Sequence, residues 1–435
     1  MTGRRKIAVW GLGFFGRKML KVLREQYSDL YSVTAQFDRS PQKQGTVFEG
    51  MRIEDPELIK TRFAEGMFDS VMVCIKFGNA RSEAVRKLNG WKIPAFFLGN
   101  EDCFYDNTRF QTEKTTYRIA QKGYDLWVFP HLLGTKALHF DSESLFLFDE
   151  TGKLLKEQWD AYITAEQSDW RFYFPIRFDS LPGKRTILKG EWCVLTKLFA
   201  GNYWHFVNEG LDIVTLLEEA GYSGNYLIPG KDFCKELLLL MGVKEERICS
   251  ALEFPEGDVL EFEKVVFCHH KEVNYRESAD VLHRIGLRLQ KNLHHNPDLP
   301  KRIHVKRVGS RKLLNEEKTF EQYGFAKVVP EEYSVKEQME LFYNAEIVLS
   351  EHGANSTNYL CMQPGTVFIE TFNDIWKYPF NLYGTYELGI HYLPVSNLIP
   401  PAFGEFGKTD DYRIDDTLLK GAIENAIMIR KGESS

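Results

Sequence analysis

Leu349 to Asn358 reads LSEHGANSTN, directly after the apolar residues Ile347 and Val348. The run Ile347 to Leu349 has the composition of a buried strand, yet a histidine, a glycine, an alanine and two asparagines crowd its end. A turn alone needs far less. In an open parallel sheet, ligands bind beyond the carboxyl ends of the strands, so these residues read as the floor of a ligand site that opens a short helix, Ser356–Met362. A helix N-terminus offers unpaired N–H groups and a partial positive charge, and Gly353 and Ala354 would leave that backbone accessible to a phosphate. A plainer use of the same residues is His352 bonding a carbonyl and Asn355 or Ser356 capping the helix.

The surroundings continue an α/β pattern. Upstream lie a helix, Ala279–Asn292, a strand, Arg302–Lys306, and a helix from Glu316 to Tyr323, with Asn315 as its expected N-cap and Gly324 as its stop. Ser334 and Glu337 form a capping box before the helix Val335–Asn344, and Thr366–Thr371 is the next strand. The stretch KRVGSRKLLNE, Lys306 to Glu316, follows a strand, so Arg307 and Arg311 project from the same carboxyl edge as His352. Their rigid forks of donors suit a diphosphate; a solvated basic loop is the alternative.

Earlier, GNYWHFVNEGLD, Gly201 to Asp212, falls in a predicted helix, Asn202–Glu219. Trp204, Val207, Leu211, Val214 and Leu217 make its buried stripe. His205, Glu209 and Asp212 share another face, and a histidine or carboxylate there could take a proton from a hydroxyl, if that face is not simply solvated. Strands at Thr186–Leu195, Tyr226–Pro229 and Val265–Cys268 with a helix at Phe233–Met241 predict a parallel layer in this part too.

At the N-terminus a strand, Lys6–Trp10, leads into Gly11, Gly13 and Gly16 of a GxGxxG turn and then a helix. Val33–Phe37 is the second strand, Asp38 stands where a ribose-binding acid would, and Ser70–Ile75 is a later strand. That order is a βαβ unit, whose glycines serve a pyrophosphate or merely a tight turn. The expected fold class is α/β with three Rossmann-like units. The divisions are 1–110, a nucleotide-binding accessory domain; 111–150, a connection with short strands such as Ser144–Phe148; 151–280; and 281–435.

Composition agrees with this. The chain has 435 residues, 43% hydrophobic and 27% charged, enough for several cored domains. A net charge of -6 gives no global reason to bind nucleic acid. Cys74, Cys103, Cys193, Cys234, Cys249, Cys268 and Cys361 have neither zinc-site nor disulfide-framework spacing. No apolar run is long enough to span a bilayer and no cleavage signal follows the basic N-terminus. A cytoplasmic protein with reduced thiols is expected.

The segments NYWHFVNE and KRVGSRKLLNEEKTFEQYGFAKVVPEEYSVKEQMELFYNAEIVLSEHGANSTNYLCMQPGTVFIE resemble glycosyltransferase family 61, which includes capsular, exopolysaccharide, protein and xylan glycosyltransferases. Arg307, Arg311, Asn315, Glu316, Gln338, His352, Gly353, Ala354, Asn358 and Glu370 match its pattern, and the resemblance spans residues 150–400. Asn355 and Ser356 depart from it, standing where the family has glycine and an apolar residue.

The resemblance implies a GT-B arrangement, with acceptor bound to 151–280 and donor to 281–435. It further implies an inverting, metal-independent transfer from a nucleotide sugar, UDP-linked, to a glycan acceptor, lipid-linked acceptors included, in capsule or other cell-surface polysaccharide biosynthesis. No transmembrane segment is expected, only peripheral membrane contact. His205 or Glu209 would be the base. Arg307, Arg311, Asn315, His352, Gly353, Ala354, Asn355, Asn358 and Glu370 would bind donor, Glu370 through its ribose. No metal ligand set is present, and Asp410-Asp411 falls in a late polar loop. No cofactor is required, although Gly11, Gly13, Gly16 and Asp38 could hold a nucleotide or NAD. Rival readings are an NAD-dependent oxidoreductase built on those four residues and a nucleotide-sugar-binding module without turnover.

Overall fold

Three sheets, each with a parallel core, follow one another along the chain. The structure, a computed structural model, describes residues 4–75, 79–97, 104–105, 117–119, 121–122, 124–136, 145–155, 176–196, 200–270, 279–315, 317–373, 381–396 and 411–432.

The first sheet holds β1 (Arg5–Trp10), β2 (Tyr31–Phe37), β3 (Val47–Phe48), β4 (Met51–Glu54), β5 (Ser70–Val73) and β6 (Ala95–Phe97), in the order β3-β4-β2-β1-β5-β6. All neighbours are parallel except β3 with β4. Alternation along β1 decides the layers. Ile7 and Val9 pack with Met19, Leu20 and Leu23 of α1 (Phe14–Gln26), whereas Ala8 and Trp10 pack on the other face with Ile59 of α2 (Ile59–Ala64) and Leu88 of α3 (Asn79–Gly90). Strand order reverses between β1 and β5, which is where the glycine turn lies.

The second sheet contains β7 (Phe104–Tyr105), β8 (Tyr124–Phe129), β9 (Leu132–Lys136), β10 (Leu145–Phe148), β11 (Leu154–Leu155), β12 (Arg185–Val194), β13 (Asn225–Ile228), β14 (Ile248–Ser250) and β15 (Val259–His270). Its parallel half runs β14-β13-β12-β15, as expected. Beyond β15 the sheet turns antiparallel: β8 pairs Val265 to His270 and β9 pairs Leu260 to Phe262. Pro130, between β8 and β9, has no N–H for the ladder. The stretch expected as a connection, 111–150, therefore supplies three strands of this sheet.

The expected helix Asn202–Glu219 is two helices, α4 (Tyr203–Glu209) and α5 (Leu211–Glu219), broken at Gly210, where a Cβ would meet the Phe206 carbonyl oxygen at 2.7 Å. The break changes the buried stripe. Phe206, 1% exposed, fills the place expected for Trp204, which is partly exposed. α6 (Asp232–Leu240) follows.

The third sheet is wholly parallel, β17-β16-β18-β19-β20, from β16 (Arg302–Val305), β17 (Ala326–Val328), β18 (Ile347–Glu351), β19 (Val367–Phe372) and β20 (His391–Ser396). This is a doubly wound order with its switch point between β16 and β18. Ile347, Leu349, Val367 and Ile369 face α8 (Glu317–Gln322) and α11 (Asp416–Lys431), while Ile303, Val305, Val348 and Phe368 face α9 (Val335–Asn344) and the 3₁₀ segment Ala354–Cys361. The capping box of Ser334 and Glu337 is present at α9. The segment after His352 begins two residues earlier than expected and is 3₁₀, not α-helical.

The second and third units share one core. Val281, Leu282, Ile285 and Leu289 of α7 (Ala279–Gln290) pack in a cluster that also takes in α5, α6, α9 and the 3₁₀ segment. Separating the units would expose such residues at roughly 1.5–3 kcal/mol each. Polar bonds add register: Arg288 Nε donates to Met241 O at 2.7 Å, and the Glu236 carboxylate accepts from Val335 N at 2.9 Å. The first unit meets the second through Arg177, which pairs with Asp29 at 2.6 Å and donates to Gln26 O at 3.0 Å.

Asn315 is not a cap. Its Nδ2 donates to Ile414 O at 2.8 Å and to Asp416 Oδ1 at 2.7 Å, and its Oδ1 accepts from Ile414 N at 3.0 Å. One buried side chain thus fastens the start of α11. Asn315→Ala would leave buried backbone groups unpaired and is expected to cost about 2 kcal/mol. Hydrogen exchange checks this: amides of Asp416–Lys431 should exchange at least tenfold faster, and unchanged protection would contradict the assignment.

Candidate active site

The carboxyl ends of β16 and β18 lie side by side, with Val305 opposite Ser350. The chain leaves β16 into the arginine loop and β18 into the histidine stretch. Arg307 reaches across: its Nη1 donates to His352 O at 3.1 Å and its Nε to Ser310 O at 3.0 Å. Neither partner is anionic, and Arg307 forms no ion pair among the described residues. Arg311 is partly buried, with φ 61, a left-handed conformation that a non-glycine residue holds at a cost of order 1–3 kcal/mol. Burial and then the Arg307 charge hold the Arg311 guanidinium below its usual pKa. A guanidinium crowded by a second positive charge makes a place for an anion.

Gly353 serves this pair differently from expectation. Its backbone is extended, and a Cβ there would fall on the Arg307 guanidinium. The glycine makes room for Arg307, and its own N–H is taken by Ser356 Oγ at 3.3 Å. Ser356 Oγ also lies 3.0 Å from Ser350 Oγ. Ala354 is partly buried and its carbonyl accepts from the Thr357 hydroxyl.

His352 is 8% exposed and its ring packs on Phe372, centroids 4.7 Å apart. Nδ1 lies 2.7 Å from Glu370 Oε1. The Glu370 carboxylate, with no exposed surface, also accepts from Asn381 Nδ2 at 2.9 and 3.1 Å and from the Tyr392 hydroxyl at 2.6 Å. Both its oxygens are engaged by protein donors, so Glu370 backs the histidine instead of facing a ribose. Such a bond fixes the tautomer, leaving Nε2 for a ligand.

The two remaining asparagines divide. Asn358, 1% exposed, accepts from the Tyr203 hydroxyl at 2.6 Å and donates to Gln338 Oε1 at 3.3 Å. It pins α4 to the histidine segment and faces no ligand. Asn355 is partly exposed, 3.5 Å from Glu331 Oε1. Asn315 is committed to α11, as above. Glu316 and Asp410 lie outside the described residues.

Through Tyr203, the helix bearing His205 and Glu209 is held against this segment. Asn202 caps α4, accepting from Trp204 N at 3.0 Å. One turn separates His205 from Glu209, and its Nδ1 lies 2.9 Å from Glu209 Oε1. Glu209 is 6% exposed, so it is not on a solvated face. Asp212 is buried too, accepting from the Tyr124 hydroxyl at 2.7 Å, and takes no part in the pair.

At the first sheet, Gly11 has φ 106 and a Cβ on Gly16 would overlap the Gly11 carbonyl oxygen, whereas nothing lies within 4 Å of a Cβ on Gly13. That leaves the middle glycine open to a ligand. Asp38 accepts from Leu12 N at 2.7 Å, Ser40 N at 2.9 Å and Lys43 Nζ at 3.0 Å. Burial would raise its pKa, but these three donors outweigh that and hold it below the ordinary carboxylate range. A further cleft of about 470 Å³ opens among Leu133, Ile176, Phe178, Arg185 and Glu261, at the amino-terminal ends of β12 and β15. Its Arg185 is already paired with Asp179 at 3.1 Å and Glu261 at 3.2 Å, and it lies at the opposite edge from His205.

Three contributors escaped the sequence reading. Glu351 ties the arginine loop to β18, accepting from Arg307 N at 3.2 Å and Leu313 N at 3.1 Å; an acid closing an apolar strand was its only signal. Asn381 and Tyr392, which hold Glu370, come from segments with no motif.

Residues 203–369 match the family described as Glycosyltransferase 61. No curated protein matches the chain. Among solved structures, a UDP-D-quinovosamine 4-dehydrogenase from Vibrio fischeri is similar at 17% identity and TM-score 0.21, over 23% of this chain and 81% of that one. RSP, a Rex-family repressor, is similar at 18% and 0.20, over 22% and 44%. A C. glutamicum DAP dehydrogenase in complex with DAP is similar at 20% and 0.18, over 25% and 29%. At such TM-scores these likenesses carry no functional argument. The family match runs from the start of α4 into β19 and takes in His205, Glu209, both arginines and His352, with Glu370 one residue beyond its end; over those residues this chain is similar to glycosyltransferase family 61.

Proposed function

We propose that the protein is an inverting glycosyltransferase of GT-B arrangement. It moves a sugar from a nucleotide-sugar donor, UDP-linked, to a hydroxyl of a glycan acceptor in cell-surface polysaccharide biosynthesis. The observation that carries this is the meeting of Arg307, Arg311 and His352 at the β16/β18 switch point, inside the family match.

The donor diphosphate lies against the two guanidinium groups and Nε2 of His352, with Glu370 orienting the imidazole through Nδ1. Positive charge preorganised there stabilises the departing diphosphate, so this reading requires no metal ion. The acceptor hydroxyl approaches from α4. Its proton passes to Nε2 of His205 while Glu209 holds Nδ1, the acceptor oxygen bonds to the anomeric carbon, and the bond from that carbon to phosphate oxygen breaks with its electron pair leaving on the diphosphate. Attack opposite the leaving group inverts the centre. Asn355 is the asparagine of the stretch with an exposed side to offer the donor. The chain works in the cytoplasm and touches the membrane only at its surface, where a lipid-linked acceptor would be presented. The first unit carries a nucleotide of its own at Gly11, Gly13, Gly16 and Asp38.

Arg311→Ala and His352→Ala are each expected to lower donor hydrolysis or transfer roughly a hundredfold; activity within a few-fold of the unmodified protein would remove the diphosphate assignment. For the base, His205→Ala and Glu209→Gln should lose about a hundredfold or more in transfer rate while UDP affinity stays within threefold. Loss of UDP binding in both variants would instead put α4 on the donor side.

A further inference from the structure

The acid that closes β18 has no role in the chemistry just described. Glu351 has none of its side chain exposed, so its charge has to be met by protein groups. Oε2 alone accepts both backbone bonds, from Arg307 N and Leu313 N. Oε1 stands 3.3 Å from Nε2 of His304, out of line for a hydrogen bond, and neither atom has a hydrogen-bond partner among the described residues.

Between the two bonded amides, Arg307 Nε donates to Ser310 O at 3.0 Å and Lys312 N to Asp411 Oδ1 at 2.9 Å. Val308 is 61% exposed, Gly309 and Ser310 are exposed, and both Gly309 and Arg311 sit at positive φ, 94 and 61. Outside those two amides, Lys306 N donates to Val328 O at 2.8 Å at the entry and Leu314 N to Tyr412 O at 2.8 Å at the exit, and neither bond links the two ends to each other. A strained left-handed arginine persists only where its surroundings over-determine it.

We propose that Glu351 is the positioning residue of the diphosphate loop: one buried oxygen draws its two ends together and so aims Arg307 and Arg311 without touching the ligand. This rests on the assignment of Arg307 and Arg311 to a diphosphate. The chemistry requires an acceptor oxygen at that depth, not a charge. A glutamine carbonyl can replace Oε2 and accept both bonds, with its amide turned to His304, whereas aspartate falls one methylene short.

The experiment titrates the full chain and its Glu351→Gln, Glu351→Asp, Glu351→Ala and Arg311→Ala variants with inorganic pyrophosphate, UDP and GDP, and follows amide exchange at Arg307 and Leu313. Glu351→Asp and Glu351→Ala should weaken binding tenfold or more and speed exchange at both amides, with Glu351→Gln within threefold of the unmodified protein on both readouts. If Glu351→Ala does not fold, the comparison of aspartate with glutamine decides. Binding by Glu351→Asp equal to the unmodified protein, or loss in Glu351→Gln as deep as in Glu351→Asp, overturns the proposal. Unchanged binding in Arg311→Ala, or no binding by the unmodified protein, removes the diphosphate assignment instead, and the exchange rates then judge the role of Glu351 by themselves.

Discussion

The connections leaving β16 and β18 go to opposite faces of the third sheet, α8 to the side it shares with α11 and the 3₁₀ segment to the side it shares with α9. Neighbouring strands whose chains part in this way leave a gap at their carboxyl ends that no backbone fills. Into that gap the sequence places a loop with two arginines and a stretch with one histidine. The remaining features of the site follow from holding those groups there. Gly353 is small because Arg307 lies over it, and Asn358 is buried because α4 has to be drawn against the same segment.

Behind each polar group that faces the gap stands a carboxylate that does not. Glu370 lies behind His352, Glu209 behind His205, and Glu351 behind the arginine loop. Burying an anion is costly unless donors surround it. Glu370 meets that condition with four contacts from three residues, and its presence pushes the Tyr392 phenol, already raised by burial, further above its usual range. The arrangement fixes direction without presenting negative charge to an anionic ligand. In a chain of net charge -6, the layering of acids beneath bases leaves a locally basic edge, which suits the diphosphate proposed for it.

Much of this was legible in the sequence because the signals are local. The strand before each glycine or histidine turn, the capping box of Ser334 and Glu337, and the carboxyl-edge positions of Arg307, Arg311 and His352 need only a few neighbouring residues to be read. What was not legible depends on partners far along the chain. Asn315 has a good capping residue type, but Ile414 claims it from 99 residues away. Glu370 reads as a strand-end acid until Asn381 and Tyr392 are seen around it. Strand β10 was legible as Ser144–Phe148, but β8 and β9 passed for a connection because an antiparallel edge of short strands carries little periodicity. The break at Gly210 was hidden by a helical pattern that runs through it.

One diphosphate is proposed to lie between the arginine loop and His352. The most direct test is an experimental structure of the protein with UDP bound. Diphosphate density within hydrogen-bond reach of Arg307, Arg311 and Nε2 of His352, with Nδ1 still on Glu370, is the result expected. Diphosphate bound only at the glycine turn of the first sheet, or arginines turned out to solvent beside an ordered nucleotide, would contradict it.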